Sequence, residues 1–142
     1  MQAINSDWGA AKAILILGGY RIFELDTSEI VMREVVRALE RAVIDTGPGS
    51  DFARLCATAR IAVHPAPSRE AIEGGFRRYL PLMHHAADVP FLVSAREVKP
   101  DWLVSSNRRH FTPAVARASG LRIVTPAQLM RYLNVREAPL GP

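Results

Sequence analysis

The pattern of apolar and polar positions divides the chain into stretches that alternate between helical and strand period. Residues 8–17 are apolar nearly all round, with Lys12 as their one charge. A helix of that kind has no broad polar face to offer water, so it is expected in the interior, capped by Ser6-Asp7 and stopped by Gly18-Gly19. Residues 20–25 alternate and predict a strand, after which Asp26-Thr27-Ser28-Glu29 has the spacing of a capping box. From there to about residue 44 the period is helical. Val31, Met32, Val35, Val36, Leu39, Ala42 and Val43 form one arc, Arg33, Arg37, Glu40 and Arg41 lie opposite, and Glu34 falls on the border.

Thr46-Gly47-Pro48-Gly49 is a loop, Ser50-Asp51 opens a short helix through about residue 59, and residues 60–64 predict a second strand closed by Pro65-Ala66-Pro67. Ser68 caps the next helix, where Ile72, Phe76 and Leu80 recur at helical spacing, although Gly74-Gly75 costs it roughly 1 kcal/mol per glycine. Asp88-Val89-Pro90 opens a further helix, since an Asp can cap and Pro is tolerated in a first turn. Trp102-Leu103-Val104 predicts a buried strand that runs into a Ser105-Ser106-Asn107 turn. Residues 111–119 form a short helix ended by Gly120, residues 121–124 the last strand, and Thr125-Pro126-Ala127-Gln128 the clearest helix start in the chain. Four short strands separated by helices predict an α/β fold: a single three-layer domain with a central, mainly parallel sheet of about four strands flanked by helices. There is no internal repeat or linker, so the domain is expected over residues 1–135, with a frayed tail over 136–142.

Composition changes this picture little. At 142 residues, with 49% hydrophobic and 23% charged positions, the chain is an ordinary globular domain and not a disordered one. The net charge of +4 favours acidic or phosphate-bearing partners, a weak signal until it is joined to a site. One cysteine, Cys56, excludes an internal disulfide and suits a reducing compartment. The apolar run at residues 10–17 is too short to span a membrane and lacks the basic leader of a signal peptide, so a cytoplasmic protein with no membrane partner is expected.

Candidate chemistry gathers after the middle of the chain. In open α/β sheets ligands bind outside the carboxyl ends of the strands, where a helix-opening Asp88 and a strand-ending Asn107 can converge. The ordered set Asp88-Val89-Pro90, then residues 101–111 (Asp-Trp-Leu-Val-Ser-Ser-Asn-Arg-Arg-His-Phe), then Ile123-Val124-Thr125-Pro126, resembles the PIN-domain family, in particular the toxin components of bacterial toxin–antitoxin pairs. Glu34 also falls where that family has a helix bearing an acidic residue. The resemblance implies a Mg2+-dependent (or Mn2+-dependent) endoribonuclease that hydrolyses RNA phosphodiester bonds with clustered acidic residues. It carries metal and catalytic roles to Glu34, Asp88 and Asn107, implies an antitoxin protein as partner, and leaves Arg108 and Arg109 to meet the RNA backbone. Hard divalent ions take oxygen ligands, which is the physical reason for such residue types. Two departures stand out: Asn107 is neutral where many relatives have Asp, and the family's opening strand, which supplies the first carboxylate, has no counterpart.

Each residue also has a plainer role. Asp88 can be a helix cap, Glu34 an ion-pair partner of Arg37, Asn107 the holder of a turn, and Arg108-Arg109 a solvated pair. His84-His85 make no metal site, because adjacent residues on a helix diverge, and His64 and His110 stand isolated in sequence. The aromatics form no spaced platform for single-stranded RNA. The alternative function is therefore a catalytically impaired PIN-like module that binds RNA or a protein without cleavage. A remoter rival, a flavodoxin-like regulatory domain, would require an acidic pair after the first strand. The absent opening strand leads to one more expectation, that about ten residues, one strand and a turn, belong ahead of Met1. Without them a gap is expected between two neighbouring strands, closed by sliding, filled from a second copy as a homo-oligomer, or left open with low stability.

Overall fold

The computed structural model describes residues 7–42 and 54–137. Its elements are α1 (Asp7–Gly19), β1 (Asp26–Ser28), α2 (Glu29–Ala42), a helical segment over residues 54–58, β2 (Ala62–His64), α3 (Arg69–Tyr79), two 3-10 turns (Leu80–Leu82 and Ala86–Asp88), α4 (Val89–Val98), β3 (Leu103–Val104), α5 (Pro113–Ser119), β4 (Ile123–Val124) and α6 (Pro126–Glu137). The molecule is thus mixed α/β. The expected cap at Ser6, the loop at residues 46–49 and the opening of the short helix at Ser50-Asp51 lie outside the described residues, as do 138–142 of the expected tail; α6 itself extends through Glu137.

α1 forms as its apolar run predicts, but it is buried on one side only: Ala10 and Ile14 are buried and Ile16 is exposed. The helix ends at Gly19, as expected, but neither glycine makes the left-handed stop. A side chain at Gly18 would lie 2.3 Å from Leu25 Cδ1 and one at Gly19 would lie 2.9 Å from the Thr58 carbonyl oxygen, so both serve close approach. The stop comes after them, where Arg21 takes a left-handed conformation (φ 60°) and Ile22 N–H donates to Leu17 O at 3.0 Å while Arg21 N–H donates to Gly18 O at 3.0 Å. This pair of bonds is a Schellman closure, and it consumes the backbone groups that a strand over residues 20–25 would have used. The strand therefore begins later, at Asp26.

α2 starts at Glu29, with Ser28 Oγ accepting from Val31 N–H at 3.4 Å. The cap is thus Ser28, and Asp26 is left free to act in β1. At α3 the expected Ser68 cap is made, Oγ accepting from Ala71 N–H at 3.1 Å. The capping box at α6 is reciprocal: Gln128 N–H donates to Thr125 Oγ1 at 3.2 Å and Thr125 N–H to Gln128 Oε1 at 2.9 Å.

β1 runs parallel to β2, pairing Asp26 with Ala62 and Ser28 with His64; β3 runs parallel to β4, pairing Leu103 with Ile123 and Val104 with Val124. Each pair is joined through helix, as parallel neighbours require. Four strands are present among the described residues, but they form two sheets of two and not the single central sheet expected. Among the described residues β1 and β3 do not pair. Both instead line a cavity of about 1310 Å³.

The core lies on the β4 side of the molecule. Tyr79, Met83, Val89, Leu92, Val93 and Val115 are buried together, with Phe76, Phe111 and Ile123 packed against them. α3 can approach α4 because of Gly75, where a Cβ would lie 2.2 Å from Val93 Cγ2; the neighbouring Gly74 has nothing within 4 Å. Buried Tyr79 keeps its hydroxyl satisfied by accepting from Arg96 Nη1 at 2.7 Å.

Candidate functional site

Asp88 closes the second 3-10 turn and stands immediately before α4, with Pro90 in the first turn of that helix. It makes no side-chain cap hydrogen bond. Its backbone is already helical (φ −86°, ψ −12°), which points the carboxylate away from the free N–H groups of α4. The carboxylate turns instead toward the loop after β3, where Oδ2 contacts His110 Nδ1. That contact sets the ring nitrogen against the carboxylate without the directionality of a hydrogen bond, and Oδ2 is a buried oxygen with no hydrogen bond.

The loop that delivers His110 is built by Asn107. Asn107 N–H donates to Ser105 Oγ at 3.2 Å, its Oδ1 accepts from His110 N–H at 3.2 Å, and its carbonyl accepts from Phe111 N–H at 3.1 Å. Asn107 thereby closes a turn beyond the end of β3, the plainer role foreseen for it. Its Nδ2 also lies 2.7 Å from His110 Nδ1. Asp88, Asn107 and His110 thus meet at one ring nitrogen. If Nδ1 carries a proton it serves Asp88 and faces the amide donor; if it does not, it serves Asn107 and turns a lone pair toward Asp88 Oδ2. Turning the amide over would set its NH2 against the His110 backbone N–H, so no single arrangement satisfies all of these groups. His85 completes the surroundings, its ring centroid 4.2 Å from that of His110.

Two expectations about histidine are corrected here. His110 is not isolated, and neither is His64, whose Nε2 lies 2.7 Å from Asp26 Oδ1 across the β1–β2 pair. His84 and His85 sit between the two 3-10 turns and not on a helix, so their divergence has no helical cause. These contacts were hidden in the sequence because their partners are 22 and 38 positions away, too far for any local spacing to suggest.

Glu34 stands apart from the other two residues expected at the site. It accepts from Arg37 Nη1 at 2.9 Å on the exposed face of α2, and it borders the cavity between the sheets, where Asp26, Ser105 and Phe111 are also found. Among the described residues no three His, Cys, Asp or Glu side chains assemble in a way that could hold a metal ion. Asp88 supplies an unsatisfied buried oxygen and Asn107 a neutral oxygen that is already engaged by the His110 N–H. That donor set is short of the three or four oxygens the resemblance implies, so no catalytic step follows from it through a metal. Arg108 and Arg109 are exposed on the same loop, and Arg108 borders a smaller cavity with Asn107, Thr125 and Gln128.

Cys56 lies on the helical segment at residues 54–58 and is half-buried, and burial pushes its thiol pKa up. No helix among the described residues is long and apolar enough to cross a membrane. Searches against models of known protein families, curated proteins and solved structures return no match.

Proposed function

We propose that this chain is a PIN-type domain of the toxin class, whose role is Mg2+-dependent or Mn2+-dependent hydrolysis of RNA phosphodiester bonds, with an antitoxin protein as its cytoplasmic partner. The observation that supports the reading is the meeting of Asp88 and Asn107 beyond the carboxyl end of β3, with a buried Asp88 oxygen that lacks a hydrogen-bond partner. Asp88 Oδ2 already faces His110 Nδ1, and a bound cation would take the place of that contact. Mg2+ keeps several waters and is commonly held by one or two carboxylates together with substrate phosphates, so in this reading Asp88 would be the one carboxylate and the RNA phosphate would have to supply the oxygens that the protein lacks. Arg108 and Arg109 extend from the same turn, where they can neutralise the phosphates on either side of the bond that breaks. Glu34 would join from across the cavity if the Arg37 pair opened; exposed pairs of that kind hold by only about 0.3–0.5 kcal/mol.

A second reading is favoured by the metal-ligand count. With no group of three metal-competent side chains among the described residues, the domain would bind RNA or protein without cutting. The experiment that separates the two is cleavage of a labelled single-stranded RNA with and without Mg2+, using the chain itself, Asp88→Asn and Glu40→Gln at matched thermal stability. The nuclease reading expects Mg2+-dependent cleavage that Asp88→Asn lowers at least tenfold and Glu40→Gln, on the polar face of α2, leaves unchanged. RNA binding with no cleavage in any variant assigns the module reading. Equal losses in both variants would remove the special role of Asp88.

A further inference from the structure

We propose that the smaller cavity, beyond the carboxyl ends of β3 and β4, binds a nucleoside monophosphate group. The proposal rests on this cavity and not on the nuclease reading, since it involves no metal. The space measures about 450 Å³, within the roughly 300–1,000 Å³ of a small-molecule site. Ser105, the first residue after β3, and Thr125, the first after β4, both border it. It therefore lies in the crevice where α/β folds hold their ligands. The amino end of α6 is there too, through Thr125 and Gln128, and adds partial positive charge.

The charge of the lining calls for an anion. Arg108, from the loop after β3, and Arg117, from α5, border the cavity, and no Asp or Glu among the described residues does. Pro113, Ala116 and Arg117 are spaced by three and four positions on α5, so they share the face that meets the cavity. Among the described residues neither guanidinium has a carboxylate partner, whereas Arg33, Arg37 and Arg69 each pair with a Glu. The larger cavity has the opposite character, with Glu24, Asp26, Glu34 and Asp101 against Lys99.

The uncharged groups add donors. Ser105 Oγ accepts from Asn107 N–H at 3.2 Å, Thr112 Oγ1 from Val115 N–H at 3.3 Å and Thr125 Oγ1 from Gln128 N–H at 3.2 Å, and all three residues border the cavity. A hydroxyl has one proton besides its lone pairs, and among the described residues none of these three gives its proton to an acceptor. Gln128 is in the same position, because Oε1 accepts from Thr125 N–H at 2.9 Å and the NH2 group has no acceptor among the described residues. Turns and caps thus fix four side chains by their acceptor atoms and leave their donors over. Two guanidiniums and these four donors suit the three acceptor oxygens of a phosphate monoester. Phe111, Ile123 and Val124 make the rest of the border apolar and give it one aromatic ring, which suits a nucleobase, since every base has a face that stacks on aromatic carbon.

The test is an NMR titration of the 142-residue chain in EDTA, with uridine 5′-monophosphate, uridine and inorganic phosphate as separate probes. The proposal expects the nucleotide to give saturable shifts at the amides of Arg108, Ala116, Arg117 and Gln128 and at the two guanidinium Nε–H groups. Inorganic phosphate should bind at the same signals about tenfold more weakly, for want of the stacked base, and uridine at matched concentration should leave them in place. Arg108→Gln and Arg117→Gln should each weaken nucleotide binding about tenfold, the scale of one charge-assisted hydrogen bond, while Arg77→Gln, which removes the same charge from an exposed position on α3, should not. Absence of saturable shifts at these residues would overturn the proposal, as would equal binding of uridine or of inorganic phosphate, or equal weakening in all three variants. A 5′-phosphorylated tetraribonucleotide identifies the source of the group: binding at least as tight as the mononucleotide assigns the end of an RNA, weaker binding assigns a free nucleotide, and either supports the proposal. EDTA removes divalent ions, so an inactive nuclease leaves every readout intact, and loss of nucleotide binding leaves the Asp88 site untouched.

Discussion

Replacing Gly75 by Ala isolates the contact that sets the spacing of α3 and α4. The added Cβ would lie 2.2 Å from Val93 Cγ2 and 3.4 Å from Val89 Cγ1. Carbon atoms pack at about 3.5–4.0 Å, so α3 must retreat by more than about 1 Å or Val93 must leave its rotamer. Overpacking of this kind costs about 1–3 kcal/mol, from which a gain in helix propensity of about 1 kcal/mol is subtracted. The net expectation is a loss of up to about 2 kcal/mol. Gly74→Ala is the matched control, because nothing lies within 4 Å of its Cβ and only the propensity gain of about 0.5–1 kcal/mol remains. Urea unfolding of the two variants should therefore show midpoints displaced in opposite directions, with slopes unchanged. Adding Val93→Ala should recover most of the Gly75→Ala loss relative to Val93→Ala alone. If Gly75→Ala proves as stable as Gly74→Ala, the close packing of α3 on α4 is wrong.

Three further outcomes are expected. Thr125→Ala removes one half of the reciprocal capping box and should destabilise the chain by about 1 kcal/mol in the same urea assay, and Gln128→Ala, which takes the acceptor from the N–H of buried Thr125, by a similar amount; equal stability in all three chains would contradict the cap. Because burial raises the Cys56 pKa, the reactive thiolate is scarcer in the folded chain, and alkylation by iodoacetamide should be slower at pH 8 than in urea and should rise toward higher pH than for a free thiol; matching pH profiles would contradict the burial. Arg108→Ala with Arg109→Ala should weaken binding to a single-stranded RNA and flatten its salt dependence by about one to two phosphate contacts, and an unchanged salt slope would remove these arginines from the RNA surface.

How much of this was legible in the sequence follows the range of the interactions. The caps at Ser68 and at Thr125 with Gln128, the stop at Gly120 and the Glu34–Arg37 pair were readable because their partners lie within four positions. The strand expected at residues 20–25 was misread for a related reason: alternation there coincides with a helix closure made by Arg21, a residue with no marked preference for the left-handed conformation it adopts. Asp88 and Asn107 could be paired from their expected places at a helix start and a strand end. The residue that joins them, His110, could not, because the histidine is brought to Asp88 by a turn whose geometry depends on Asn107 and Ser105 together. The division of the strands into two sheets was not legible, because hydrophobic pattern alone carries no signal for which strands pair.

The most direct test of the central claim, that Asp88 and Asn107 form a divalent-cation site, is paramagnetic broadening by Mn2+ in the amide and side-chain NMR spectra of the chain. At Mn2+ well below stoichiometry, the signals of Asn107, His110 and Val89 should broaden first, Mg2+ in excess should reverse the effect, and Asp88→Asn should abolish it while Glu40→Gln does not. Broadening that is uniform over the surface, or that is centred on Asp26 and His64, or that persists unchanged in Asp88→Asn, would contradict the site.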